Sequence, residues 1–181
     1  MNINIFTFIL LTAIFFSCGS ESENTYDYPA KEQLPTEPEW INFKFTPEIT
    51  INLPDFPQKN KYSHMTEFAY KGDQFFSAAF LHTPLDPESD YEPFLKGRYS
   101  KYPSKILFQK EKDINGISGT EIIYEFEPYN LQGHQMPEVR HEFIYNNKGF
   151  TMLLSSWYFK KDEIVGKLNS ARFINSIQLN P

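Results

Sequence analysis

The chain has a single cysteine, Cys18, so no intrachain disulfide can brace it and no thiol is available at any other position. Clustered basic residues are also missing. Seventeen Lys and Arg stand against 23 Asp and Glu, giving a net charge of -6 with no polybasic run. Proteins that grip nucleic acid concentrate positive charge on one face, so that class of partner is excluded. The signatures of several chemistries are absent as well. There is no Gly-x-Ser-x-Gly turn, no glycine-rich phosphate loop and no His-Glu-x-x-His pair. No internal repeat is visible.

The N-terminus holds a long apolar run. From Ile5 to Phe16 the polar residues are Thr7 and Thr12, and the run stops at Ser17-Cys18-Gly19. Spanning a bilayer takes about 20 apolar residues, so a shorter run at this position reads as the core of a signal peptide. Phe15-Phe16-Ser17-Cys18 resembles a bacterial lipobox, with a bulky residue three before the cysteine and a small one just before it. That resemblance implies acylation of Cys18. An uncleaved anchor helix, or a buried helix with an incidental cysteine, would leave the placement of the chain's one cysteine unexplained. Each buried methylene contributes about 0.8 kcal/mol and one acyl chain binds only marginally, so two or three chains would hold the protein without a spanning helix.

Residues 1–17 therefore read as a lipoprotein signal peptide, 18–39 as the lipidated cysteine with a flexible acidic tether, and 40–181 as one domain. Glu21 and Glu23, close behind Cys18, resemble export tags of surface lipoproteins, and an ordinary solvated linker accounts for them equally well. Aromatic residues make up 17% of the chain, ample for a core.

From Trp40 onward the pattern is of short strands. Ile49, Ile51 and Leu53 alternate with polar neighbours before Pro54 stops the run. Met65–Tyr70 and Phe75–Leu81 flank Lys71-Gly72-Asp73-Gln74 and predict a hairpin. The register read here sets Tyr70 against Phe75 and His64 against Leu81, so that His64 and His82 point to opposite faces. A slip of one residue would instead bring the two histidines opposite each other. With His134 and His141 also lacking tight ligand spacing, no metal site is expected, because zinc needs three or four converging ligands.

Ser89 or Asp90 can cap a first helix whose stripe is Tyr91, Phe94, Leu95, Arg98, Tyr99 and Tyr102, with Pro93 in the first turn and Gly97 weakening it. Strands resume at Lys105–Lys110 and Ile117–Phe126 around an Asn115-Gly116 turn. Residues 127–137 form a loop holding Tyr129, His134 and Met136, the preferred contact loop, with a plain connector as the alternative. Val139–Tyr145 and Phe150–Trp157 predict a last hairpin with apolar residues on both faces, which calls for cover on both sides. Asp162 then caps a second helix with face Ile164, Leu168, Ala171 and Ile174, and a short β-like segment, Ser176–Leu179, closes the chain. The carboxylate pairs Glu121 with Glu125 and Glu138 with Glu142 read as solvated positions.

This order predicts an α+β domain, an antiparallel sheet with flanking helices. Ile114-Asn115-Gly116-Ile117-Ser118-Gly119 leading to Tyr124, Gly149-Phe150-Thr151-Met152, and Phe173-Ile174-Asn175-Ser176-Ile177 resemble motifs of PsbP-like and DcrB-like proteins. The resemblance spans roughly residues 48 to 179 and implies a Mog1/PsbP-like α/β/α sandwich. It also implies a non-enzymatic role without catalytic residues or cofactor, in an extrinsic, membrane-associated or partner-binding protein. The expected function is that of a lipid-anchored lipoprotein of the bacterial envelope, at the outer membrane, facing periplasm or surface. Its domain would bind an envelope protein partner or support an assembly. The alternative is a small-ligand binder, for example of carbohydrate, using Tyr91, Tyr99, Tyr102 or Trp157, and a third reading, an enzyme, would need ionisable groups clustered in a cleft.

Overall fold

Local alternation and tight turns account for most of the architecture. The computed structural model describes residues 39–85, 90, 93–94, 96–97, 104–126, 138–147 and 149–180. Ten strands form among them: Ile41–Lys44 (β1), Ile49–Leu53 (β2), Gln58–Lys61 (β3), Met65–Lys71 (β4), Phe75–Leu81 (β5), Ser104–Ile114 (β6), Ile117–Phe126 (β7), Glu138–Asn147 (β8), Phe150–Phe159 (β9) and Gln178–Leu179 (β10). Seven of these make one antiparallel sheet in the order β3-β4-β5-β9-β8-β7-β6. A second sheet, β1-β2-β10, is built around β2, whose Ile49, Ile51 and Leu53 are buried as the alternation predicts. Its closing strand comes from the far end of the chain. Gln178 lies opposite Thr50, and the Thr50 hydroxyl donates to Asn180 Oδ1 at 2.8 Å.

The Asn115-Gly116 turn joins β6 to β7 with positive φ at both residues, 54° and 82°, the conformation that matches strand twist in a two-residue hairpin. Asp113 supports it by accepting the Gly116 N–H at 3.0 Å. The β4–β5 hairpin departs from the expected register. Lys71 pairs with Phe75 and Tyr70 with Phe76, a one-residue slip that leaves Gly72-Asp73-Gln74 as the loop. His64 therefore lies opposite His82, not on the other face, and its carbonyl accepts the His82 N–H at 3.0 Å.

One helix, Glu163–Asn175 (the C-terminal helix), follows a 3-10 turn at Lys160–Asp162. Asp162 occupies the N-cap position, yet its side chain makes no capping hydrogen bond. Of the face expected for the helix, Ile164, Leu168, Ala171 and Ile174, only Ile174 is fully buried. Gly166, Ser170, Phe173 and Ile174 are inside, while Ile164 is 58% exposed and Leu168 and Ala171 are only half-buried. Gly166 and Ser170 let the first turns approach the sheet closely, and Phe173 and Ile174 fill the core beyond them. Beneath it, Phe173 and Ile174 join Phe76, Ala78, Phe143, Met152 and Leu154 of the large sheet and Ile51 and Leu53 of the small one.

The opposite face of the large sheet is apolar too, as predicted. Ile122, Tyr124, Ile144 and Leu153 cluster there with Phe94 packed against them. Phe94 is helical and donates its N–H to the Asp90 carbonyl at 3.0 Å, placing Pro93 in a first turn where a missing amide costs nothing. Ser89, Tyr91, Leu95, Arg98, Tyr99 and Tyr102 of the expected helix lie outside the described residues.

Candidate functional site

The site begins with the hairpin loop that the register slip creates. Because Lys71 pairs with Phe75, Gln74 turns inward, and its Nε2 reaches Ser156 Oγ at 2.9 Å, Ser170 Oγ at 2.9 Å and the Gly166 carbonyl at 3.1 Å. One buried amide thus ties the loop to β9 and to the C-terminal helix. Ser156 and Ser170 add a hydrogen bond of 2.9 Å between them. Gly166 rests on the Tyr158 ring, where no Cβ would fit.

Above this junction lies an open groove of about 1070 Å³, lined by the 72–74 loop, Tyr158–Gly166 and Asn169. Most of its charges are already partnered. Lys160 Nζ holds both oxygens of Glu125 at 3.0 Å, Lys161 stands over the Phe159 ring, and Glu163 pairs with Lys167 at 2.7 Å. Its rim is apolar. Ile164 is 58% and Val165 47% exposed. Such a groove offers an apolar contact edged by Asp73, Asp162 and Asn169, and it is not an enclosed cavity.

A second polar cluster, inside the large sheet, does not line the groove. Glu121 and His141, on β7 and β8, are 1% and 2% exposed, which corrects the reading of Glu121 as solvated. Glu121 Oε1 accepts Lys112 Nζ at 2.7 Å and lies 2.7 Å from His141 Nε2. Burial alone would raise the carboxyl, but the hydrogen bonds and charges of His141 and Lys112 outweigh it and hold Glu121 at about 2. Burial lowers the affinity of His141 for a second proton, against the opposing pull of the Glu121 carboxylate. Glu142 is also buried and not solvated, accepting the Ser155 hydroxyl at 3.0 Å on the other face.

The residues expected to matter divide sharply. Cys18, Tyr129, His134 and Met136 lie outside the described residues. Trp157 is stacked on Phe75 at 5.1 Å and makes an edge-type contact with Phe159, so one of its ring faces is taken up by a neighbouring aromatic. His82 engages Thr66 Oγ1 at 2.9 Å and the Ser63 carbonyl at 3.3 Å despite facing His64. Among the described residues no group of three or more His, Cys, Asp or Glu is placed to hold a metal ion, and no helix is long and apolar enough to cross a membrane. Gln74, Gly166 and Ser170 were not singled out from the sequence. The available signal was the Gly-x-x-x-Ser spacing of small residues on one helix face.

No protein-family model and no curated protein matches the chain. Among solved structures it is similar to the solution structure of cyanobacterial PsbP (CyanoP) from Synechocystis sp. PCC 6803, with 8% identity over 80% of this chain and 94% of that one, at a TM-score of 0.54. It is also similar to LpqN, involved in cell envelope biogenesis of Mycobacterium tuberculosis, with 13% identity over 79% and 91% of the two chains and a TM-score of 0.49. A protein of unknown function from Pseudomonas aeruginosa, PA94, gives 10% identity over 78% and 96% at 0.47. The likeness to CyanoP establishes a PsbP-like α+β fold.

Proposed function

We propose, taking the PsbP-like fold as the premise, that this is a non-enzymatic lipoprotein of a bacterial envelope, held by acylated Cys18, whose domain binds a protein partner there. The observation that supports partner binding is the groove at the start of the C-terminal helix. Its ionic groups are largely paired within the chain, while Ile164 and Val165 stand exposed side by side. Exposed apolar side chains grouped on a shaped surface suit contact with another protein.

Two further features support the reading. The ionisable pair that a catalyst could exploit, Glu121 and His141, is buried and does not line the groove. The outer strands of the large sheet, β3 and β6, carry Lys59, Lys61, Lys105, Lys110 and Lys112, and β6 bulges between Ile106 and Phe108. Lysines and bulges discourage the addition of another strand, which favours the groove over a sheet edge as the point of contact. A small-ligand reading has less behind it, since Trp157 is stacked on Phe75 and the groove is open.

The test is a photo-crosslinking amino acid at Val165 in intact cells. A discrete protein adduct that is absent when the crosslinker sits at Ile106, exposed on β6, is the expected result. No adduct at Val165, or the same adducts from both positions, would overturn partner binding.

A further inference from the structure

The point where the chain enters the domain is pinned. Trp40 packs edge-on against Phe76 at 5.2 Å, and the Arg172 guanidinium covers its ring at 4.4 Å. Ile41 pairs with Leu53, so Trp40 and Glu39 come in beside Pro54, the start of the β2–β3 connection. That connection carries Phe56, 77% exposed, more than any other large apolar residue described. The side chain is also presented firmly. Prolines 54 and 57 flank the pair Asp55-Phe56, and Asp55 Oδ1 accepts the Phe56 N–H at 2.7 Å. Gln58 pairs with Ala69, so the chain before Gln58 runs toward Lys71, whose exposed side chain adds a cation at the same corner.

An aromatic ring beside a lysine, held out into water at the corner where the tether joins, suits the boundary of a lipid bilayer. We infer that Phe56, with Lys71 beside it, rests in the lipid interface of the membrane that holds Cys18. The inference rests on the lipid-anchor reading of Cys18. Aromatic residues and lysines are the side chains that settle at the boundary of headgroups and acyl chains. Residues 19–38 lie between Cys18 and Glu39 and reach at most about 70 Å. A link of that length keeps the domain at an effective concentration in the millimolar range, so a contact too weak to hold a free protein is occupied in an anchored one. The groove lies at the same end of the large sheet, next to the 72–74 loop, so its partner would be met at membrane level.

The experiment uses the full-length acylated protein in vesicles of phosphatidylethanolamine and phosphatidylglycerol. Phe56→Cys is labelled with an environment-sensitive fluorophore, with Leu179→Cys, 54% exposed beside the opposite end of β2, as the reference. Acylation blocks Cys18, so each variant carries one reactive thiol. The expected result is blue-shifted emission at position 56, quenched by lipid-borne nitroxide several-fold more than at 179. Equal, water-like emission from both positions overturns the lipid contact and leaves the anchor standing. Labelling of wild-type protein at Cys18 overturns the anchor reading, and the inference with it.

Discussion

Gly166 of the C-terminal helix lies so close to Tyr158 that a Cβ built on it would fall 2.3 Å from Cγ and Cδ2 of the ring. The helix backbone rests there directly on the Tyr158 ring, with no side chain of its own between them. This is the physical origin of the groove, because it fixes where the helix begins and leaves Ile164 and Val165 facing out.

The two helical glycines should therefore respond oppositely to alanine. At an open helical position alanine gains up to about 1 kcal/mol over glycine, and a methyl group added at Gly97 would meet nothing within 4 Å, so Gly97→Ala should be neutral or stabilising. Gly166→Ala must push helix or ring aside and should cost about 1–3 kcal/mol. Urea unfolding of both variants checks this, and equal effects would contradict the packing described.

Asn115 combines positive φ with a side-chain hydrogen bond, Nδ2 donating to the Ile177 carbonyl at 2.7 Å. Asn115→Gly keeps the turn and loses the bond, whereas Asn115→Ala loses both. Glycine should cost about 1 kcal/mol and alanine about 1–2 kcal/mol more, read from thermal or urea unfolding.

Stability should fall in two steps on acidification. His141 has a folded-state pKa below its ordinary 6.5, so the unfolded chain takes up the proton first and stability declines as pH falls through 6.5 toward the folded value. Glu121 is depressed from 4.5 to about 2, so its contribution is full above 4.5 and is lost as pH falls toward 2. Unfolding free energies measured from pH 8 to acid check both steps. Glu121→Gln should remove the lower step and cost about 3 kcal/mol at neutral pH, because Lys112 and His141 lose their charged acceptor. Unchanged stability across the range would refute the account of this cluster.

Cys18→Ser should abolish incorporation of labelled palmitate and release the protein from membranes. Fractionation of cells with the label as tracer measures both at once, and a variant that still partitions with membranes would remove the anchor.

Much of the architecture was legible locally. Ile49, Ile51 and Leu53 announced β2, Asn115-Gly116 announced its hairpin, and Phe143 beside Ile144 announced a sheet covered on both faces. These features depend on side-chain alternation and turn chemistry between near neighbours. Glu121 and Glu142 were misread for the complementary reason. Alternation does not distinguish a charged residue in water from one buried against a partner, and the partners of Glu121 lie nine residues before it and 20 after it.

The sequence by itself determined most of the strands, though not Ile41–Lys44 or Gln58–Lys61, the places of the tight turns, and that Cys18 is the one thiol at the end of an apolar run. Tertiary structure alone decided the β4–β5 register, the helix face and the groove. A hairpin register one residue either way costs little locally, and the choice was made by Gln74 finding Ser156, Ser170 and the Gly166 carbonyl far along the chain. The helix sets Gly166 and Ser170 inward together with Phe173 and Ile174, and the Tyr158 ring leaves no room for a larger side chain at Gly166, a constraint that exists only once the sheet is there to pack against.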